Sequence, residues 1–304
     1  MSAAAGSSDA ASALWSAERA LRPSAGEALL AWATLVRADS EQVERLPNRP
    51  RLPDFYAPVA ETFRADPRRE DDPTLDCLRS LALPTETWLD LGAGGGRFTL
   101  AIALKAPRVY AIEPSEGMRA VLASAMAEHG VTNIDVFPER WPGPSEAPVA
   151  DVGFMSHVSY DIADIGPFLG ELEVHARRLC VAVLFEEAPI SLFAPLWEPV
   201  HGEARCLLPG LREFVTLLFA LGRTPEIRLF PTRQRTFPDL ETLQRAARRA
   251  VWVEEGSPED ERLTAAIGRL AVPAGAGFTL PGREPYVGVV TWRPAAGWSG
   301  LAEG

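Results

Sequence analysis

The chain has 304 residues, 47% of them hydrophobic, and a formal net charge of -11, so it can bury about three quarters of its unfolded surface without covalent staples. Its three cysteines, Cys77, Cys180 and Cys206, are far apart with no C-x-x-C spacing, and its four histidines, His129, His157, His175 and His201, form no H-x-x-x-H cluster; a disulfide framework, a zinc site and any bound metal are therefore not expected. The excess of acid argues against a broad electrostatic grip on DNA or RNA.

Residues 1–12 are rich in Ala, Ser and Gly and carry neither a basic n-region nor an apolar h-region. No later stretch is apolar for long enough to span a bilayer, so a cytoplasmic protein with no membrane partner is expected. Helical periodicity runs over Ala10 to Arg22, over Ser24 to Val43 with apolar Ala28, Leu29, Ala31, Trp32 and Leu35, and over Pro73 to Leu81. The proline-rich stretch from Leu46 to Pro53 breaks that period and joins helices rather than domains. Asp54-Phe55-Tyr56-Ala57-Pro58 then sets an aromatic pair just upstream of the first strand.

From residue 86 the pattern alternates. Apolar runs at 87–91, 108–112, 133–137, 150–155 and 178–185 read as strands, separated by helical stretches such as Phe98 to Lys105 and Glu116 to His129. Strand-helix alternation implies a parallel sheet, whose right-handed crossovers put the ends of the first, second and fourth strands around one crevice. The first strand runs into Asp90-Leu91-Gly92-Ala93-Gly94-Gly95-Gly96-Arg97. Glycines at 92, 94 and 96 let the backbone turn sharply and approach a ligand, and the free N–H groups of the helix that follows face the same crevice. By itself such a loop is also compatible with a tight strand-to-helix turn that holds nothing.

The dinucleotide fingerprint needs Gly or Ala at the position occupied here by Arg97 or, in the other register, Thr99. Neither fits, which counts against a nicotinamide oxidoreductase. The spacing Asp90-x-Gly92-x-Gly94-x-Gly96 instead resembles motif I of the class I S-adenosylmethionine-dependent methyltransferases. About 20 residues on, the second strand ends in Glu113, where nucleoside-binding α/β units carry a ribose-binding carboxylate. In the family the matching acid holds the ribose, and residues at the positions of Pro114, Ser115 and Met118 frame the adenine. Ala93 belongs to the same cofactor loop.

The resemblance implies a Rossmann-like, doubly wound, seven-stranded, mostly parallel α/β sheet with an antiparallel last strand, plus N-terminal helices and a helical cap insertion. It covers residues 86–185 well and the flanks poorly. Expected boundaries are a helical extension over 1–85, the cofactor-binding core over 86–187, a cap region with core strand six over 188–285, and the last strand and tail over 286–304. Glu226-Ile227-Arg228-Leu229-Phe230 and Tyr286 to Trp292 read as strands six and seven, with helical stretches from Pro238 to Val253 and from Pro258 to Leu270 between them. That long connection suggests a cap over the active site or a homodimer contact. Arg245, Arg248 and Arg249 within it read as a solvated basic face.

By the same resemblance Tyr56 is either a lid over the cofactor or a packing residue. After the third strand, Glu139 stands where an acid accepts the adenine amino group, and Arg140 or Trp141 would stack on the ring, unless Trp141 only caps the core edge. Ala150 to Asp161 looks like motif IV, with Ser156 beside the cofactor. His157 would accept a proton from the nucleophile or be structural, and Tyr160 would orient the nucleophile. His201, Glu203 and Arg205 form a candidate substrate-reading cluster, or a solvated loop. The implied activity is methyl transfer from S-adenosylmethionine to a small-molecule acceptor, the alternative being a noncatalytic module that binds the same cofactor.

Overall fold

The computed structural model describes residues 23–47, 54–143, 147–282 and 284–295. The helix expected over 10–22, residues 48–53 of the proline-rich stretch and the end of the tail lie outside them. Six strands, β1 (Trp88–Leu91), β2 (Val109–Ile112), β3 (Ile134–Phe137), β4 (Ala150–Ser156), β5 (Ala176–Phe185) and β6 (Glu226–Pro231), run one way; after a small hairpin of β7 (Val272–Ala274) and β8 (Gly277–Thr279), β9 (Tyr286–Trp292) runs against them. The seven-stranded sheet has the order β3-β2-β1-β4-β5-β9-β6, so β9 inserts between β5 and β6 and pairs antiparallel with both. This is the doubly wound sheet with an antiparallel last strand expected from the sequence. Strand order reverses at β1, which lies between β2 and β4, and a crevice opens there at the carboxyl ends.

Helices cover both faces: α1 (Ala25–Glu44), α2 (Pro73–Leu81), α3 (Thr99–Ala103), α4 (Glu116–His129), α5 (Ile165–Val174), α6 (Ala194–His201), α7 (Leu211–Ala220), α8 (Leu240–Ala250) and α9 (Pro258–Leu270). Strand period two sorts the side chains between two cores. Leu89, Leu91, Met155, Ala182 and Leu184 face α1, α5 and α7, whereas Trp88, Val152, Phe154, Val181 and Val183 face α2, α3 and α4. Each large side chain sealed in these layers contributes about 1.5–3 kcal/mol.

α1 starts where Ser24 and Glu27 cap each other's backbone amides. It is anchored through Trp32, 1% exposed, whose Nε1 donates to Ile162 O at 2.9 Å and whose ring meets Phe214 edge-on at 6.3 Å. α4 begins at Ser115, whose hydroxyl accepts from Met118 N, and ends at Gly130 in the left-handed conformation. Among the described residues no helix is long and apolar enough to cross a membrane.

A third apolar cluster holds the cap together, joining Trp197 and Leu196 of α6 to Leu243 and Ala247 of α8 and Leu263 and Ile267 of α9. Two features of the cap depart from expectation. The insertion is not wholly helical, because the β7–β8 hairpin closes it and Phe278 and Phe237 exchange backbone hydrogen bonds of 2.7 and 2.8 Å. Nor are all three arginines of the basic strip solvated. Arg248 forks onto Asp260 at 2.8 and 2.9 Å, and Arg249 donates to Phe55 O at 2.9 Å while covering the Phe55 ring at 4.4 Å.

Candidate active site

Asp90 shares the parity of Trp88, so β1 aims its carboxylate into the core under α3. A buried carboxylate must be bonded or neutral. Thr99 Oγ1, at the start of α3, donates to Asp90 Oδ2 at 2.6 Å, yet burial dominates and pushes the pKa from 3.8 up to about 7. The chain then turns through Gly92, Gly94 and Gly96 at φ +72°, +55° and +87°. At Gly92 the demand is double, since a Cβ there would lie 2.5 Å from Val158 Cγ2 in the loop beyond β4.

The acid at the end of β2 closes the turn. Glu113, 5% exposed, accepts from Gly94 N at 2.7 Å and from Ser115 N at 2.8 Å. Burial raises its pKa against the opposing pull of those two bonds. Asp54 ties the preceding segment to the same place: it accepts from Ser115 Oγ at 2.8 Å, from Gly117 N at 3.2 Å and from Tyr56 N at 3.0 Å. The 3-10 helix Ala57–Phe63 follows, and Tyr56 packs edge-on against Phe55 and Phe63 at 5.3 and 6.0 Å.

Beyond β4 the backbone takes two left-handed residues that are not glycine, His157 at φ +55° and Ser159 at +92°, each costing on the order of 1–3 kcal/mol. The bend turns His157, Val158 and Asp161 toward the crevice and sends Tyr160 into the core. There Tyr160 Oη accepts from Phe185 N at 2.8 Å and lies 3.4 Å from His157 Nδ1. The His157 ring stacks on Phe185 at 4.3 Å, and burial drives its pKa from 6.5 down to about 3, with Arg97 adding to the effect.

These elements enclose a cavity of about 410 Å³, within the range of small-ligand sites. Sequence comparison finds no matching family model and no matching curated protein. Among solved structures, a methyltransferase candidate from Bacillus halodurans superposes with a TM-score of 0.51 at 14% identity, over 74% of this chain and 100% of its own. The YcgJ protein of Bacillus subtilis gives 0.51 at 13% identity, over 73% and 99%. The chain has the Rossmann-like methyltransferase fold. At such identities the likeness is one of fold, and the site must speak for itself.

Of the residues expected in a methyltransferase-fold site, Tyr56, Asp90, Gly92, Ala93, Glu113, Pro114, Met118, Arg140, Trp141, Ser156 and His157 line the cavity. Gly94, Gly96, Ser115 and Glu139 are not among its lining residues; Gly94 gives its amide to Glu113 and Ser115 caps α4. Trp141 lines the cavity, and its Nε1 donates to Phe168 O at 3.2 Å at the core edge. Tyr160 departs from its expected place, since its hydroxyl is turned inward by the Phe185 amide.

The substrate-reading cluster is not brought to the cavity at all. His201 Nε2 is bonded to Val251 O at 2.8 Å, Glu203 pairs with Arg45 at 3.1 Å, and Arg205 is buried against Asp39 with its guanidinium 4.0 Å from the Trp197 ring centroid. Glu203 and Arg205 clamp α1 to the cap, and His201 ties α6 to the end of α8 within it. Thr99, Asp54 and Arg97 carry no functional role in the sequence pattern, yet all three belong to the site or its supports. A hydroxyl nine residues past Asp90 on the first turn of the next helix was the available signal for Thr99; for Asp54 there was none beyond an Asp two residues ahead of an aromatic.

Proposed function

We propose that this chain is an S-adenosylmethionine-dependent methyltransferase acting on a small-molecule acceptor. The observation that carries the reading is the contact between Gly94 N and Glu113 Oε2, which fuses the glycine turn and the strand-end acid into one wall of the cavity. The donor set fits the cofactor. Each oxygen of Glu113 keeps a lone pair for vicinal ribose hydroxyls, and Ser156 Oγ, buried at the cavity wall, has no hydrogen-bond partner among the described residues.

The cofactor supplies, when bound, a methyl group on a sulfonium that is already activated for displacement. The rest falls to this chain. Glu113 would hold the ribose, Pro114 and Met118 would frame the base with Trp141 and Arg140 beside it, and the glycine turn would let the backbone approach closely. Tyr56, whose segment is tied down through Asp54, and Phe63 would cover the cofactor from that wall. Positioning is the main catalytic term such a site offers. The general-base role expected of His157 does not suit a ring whose protonated form burial disfavours so strongly, because a base works best with a pKa near the working pH.

A small acceptor is supported by the modest size of the cavity and by the net charge of -11, which disfavours nucleic acid. The test is calorimetric titration with S-adenosylhomocysteine, with NAD as control, followed by an acceptor screen with labelled methyl donor. Selective binding of S-adenosylhomocysteine and turnover are expected. Selective binding of NAD would overturn the reading, and binding without turnover of any acceptor would favour the noncatalytic module.

A further inference from the structure

The loop after β4 fixes the tautomer of one histidine. The Phe185 amide donates to Tyr160 Oη at 2.8 Å and so occupies one lone pair of a hydroxyl whose residue is 6% exposed. The other neighbour of that oxygen is His157 Nδ1 at 3.4 Å. With a proton on Nδ1, Tyr160 would accept twice and its own O–H would be left in the core with no acceptor, the costly way to leave a buried polar group. With the hydroxyl donating to Nδ1 both the Tyr160 O–H and Nδ1 are paired, and the imidazole proton resides on Nε2, which faces the cavity.

His157 lines the cavity, stacks on Phe185 and has no hydrogen-bond partner for Nε2 among the described residues. Arg97 lines the same cavity. It lies 5.7 Å from the Phe98 ring centroid, its carbonyl is held by Arg69 Nη1 at 2.9 Å, and its guanidinium makes no hydrogen bond or ion pair among the described residues. Its charge reaches His157 and, after burial, helps keep the imidazole neutral. The lining of one cavity thus carries a neutral N–H donor and a cation whose charge it feels and which makes no ion pair among the described residues.

We propose that His157 Nε2–H and Arg97 form a subsite for a carboxylate, with His157 a binding donor rather than a proton acceptor. A guanidinium supplies charge and parallel N–H groups that match a carboxylate, and the imidazole adds one directed hydrogen bond. The two candidate sources, the amino-acid end of the cofactor and the methyl acceptor, rest on the methyltransferase reading; the ligand chemistry does not.

The test uses the full chain labelled with 15N-histidine, with long-range 1H–15N correlations reading the His157 tautomer. The Nε2–H form is expected, giving way to a mixture in Tyr160→Phe; an Nδ1–H form in the wild type would overturn the proposal. The protein is then titrated with 5′-methylthioadenosine, which lacks a carboxylate, with S-adenosylhomocysteine, and with phenylacetate on top of saturating methylthioadenosine. A shift of the His157 Nε2 resonance by S-adenosylhomocysteine assigns the cofactor's carboxylate, and one by phenylacetate assigns the acceptor's. In either case Arg97→Gln should weaken that ligand at least tenfold relative to methylthioadenosine. No response to either carboxylate, or equal weakening of all three probes, would overturn the subsite. If neither nucleoside binds, the methyltransferase reading fails, and phenylacetate added to the free protein decides the subsite by itself.

Discussion

The amide of Gly94 and the carboxylate of Glu113 meet at 2.7 Å, so the glycine turn after β1 and the acid after β2 form one unit. The other oxygen of Glu113 is taken by Ser115 N at 2.8 Å. Glu113→Gln would oppose an NH₂ group to one of these two amides. We expect a loss of about 1–2 kcal/mol of stability in urea unfolding and at least a tenfold loss of S-adenosylhomocysteine affinity, about 1.4 kcal/mol, by calorimetry. Wild-type affinity in a folded variant would remove Glu113 from the site.

Asp90 and His157 should tilt stability with pH in opposite directions. Burial raises Asp90 from 3.8 to about 7, so between about pH 4 and 6.5 the folded state keeps a proton that the unfolded chain has released, and this contribution falls as pH rises. Burial lowers His157 from 6.5 to about 3, so over the same window the unfolded chain holds the extra proton and this contribution grows as pH rises. In the wild type the two largely cancel. Asp90→Asn should leave stability climbing with pH, by up to about 1.4 kcal/mol per unit, and His157→Gln should leave it falling. Urea unfolding at three pH values checks this; parallel curves for all three proteins would contradict it.

What the sequence made legible is what depends on neighbours in the chain. Asp90, the three glycines and Glu113 lie at strand ends whose apolar runs are short and bounded, so their place at one crevice followed from strand-helix alternation. α5 was not legible because Ile165, Phe168, Leu169 and Leu172 are buried together with Gly166 and Gly170, leaving little polar face to mark a period. β7 and β8 are three residues each and carry Pro273, too short for alternation to register. The contacts that re-assign Arg205 and Arg249 span 166 and 194 residues, to Asp39 and Phe55. No spacing rule reaches that far, and a cluster of charges in a loop reads the same whether it meets a ligand or a distant helix.

Tyr56 acts as a cover only if its segment is held, and Asp54 does the holding. The hydroxyl of Ser115 is the chief reason that Asp54's pKa lies below 3.8. Asp54→Ala removes the bonds to Ser115, Gly117 and Tyr56 at once. Gly117→Ala reaches the same end by another route, because its Cβ would lie 2.6 Å from Ala57 Cα and push the segment away. Both variants should release S-adenosylhomocysteine about tenfold faster, a change of about 1.4 kcal/mol in the dissociation barrier, as read by stopped-flow displacement. Unchanged release rates in both would return Tyr56 to a packing role.

Arg205 should matter to stability and not to ligand binding. Its guanidinium lies over Trp197, donates to Gln42 Oε1 at 2.8 Å and pairs with Asp39, while Gln42 also takes Cys206 N at 2.9 Å and gives its own amide to Ala204 O at 2.7 Å. Burial is the largest influence on both ions: it raises Asp39's pKa and lowers Arg205's, so desolvation of each outweighs what its partner returns. Arg205→Ala therefore strands a desolvated carboxylate and should cost about 2–3 kcal/mol, less than for a pair sealed from solvent. Asp39→Leu combined with Arg205→Met should recover most of that loss, since no lone charge remains. S-adenosylhomocysteine affinity and the acceptor KM should stay at wild-type values in the double variant. A rise in KM at unchanged stability would instead return Arg205 to substrate recognition.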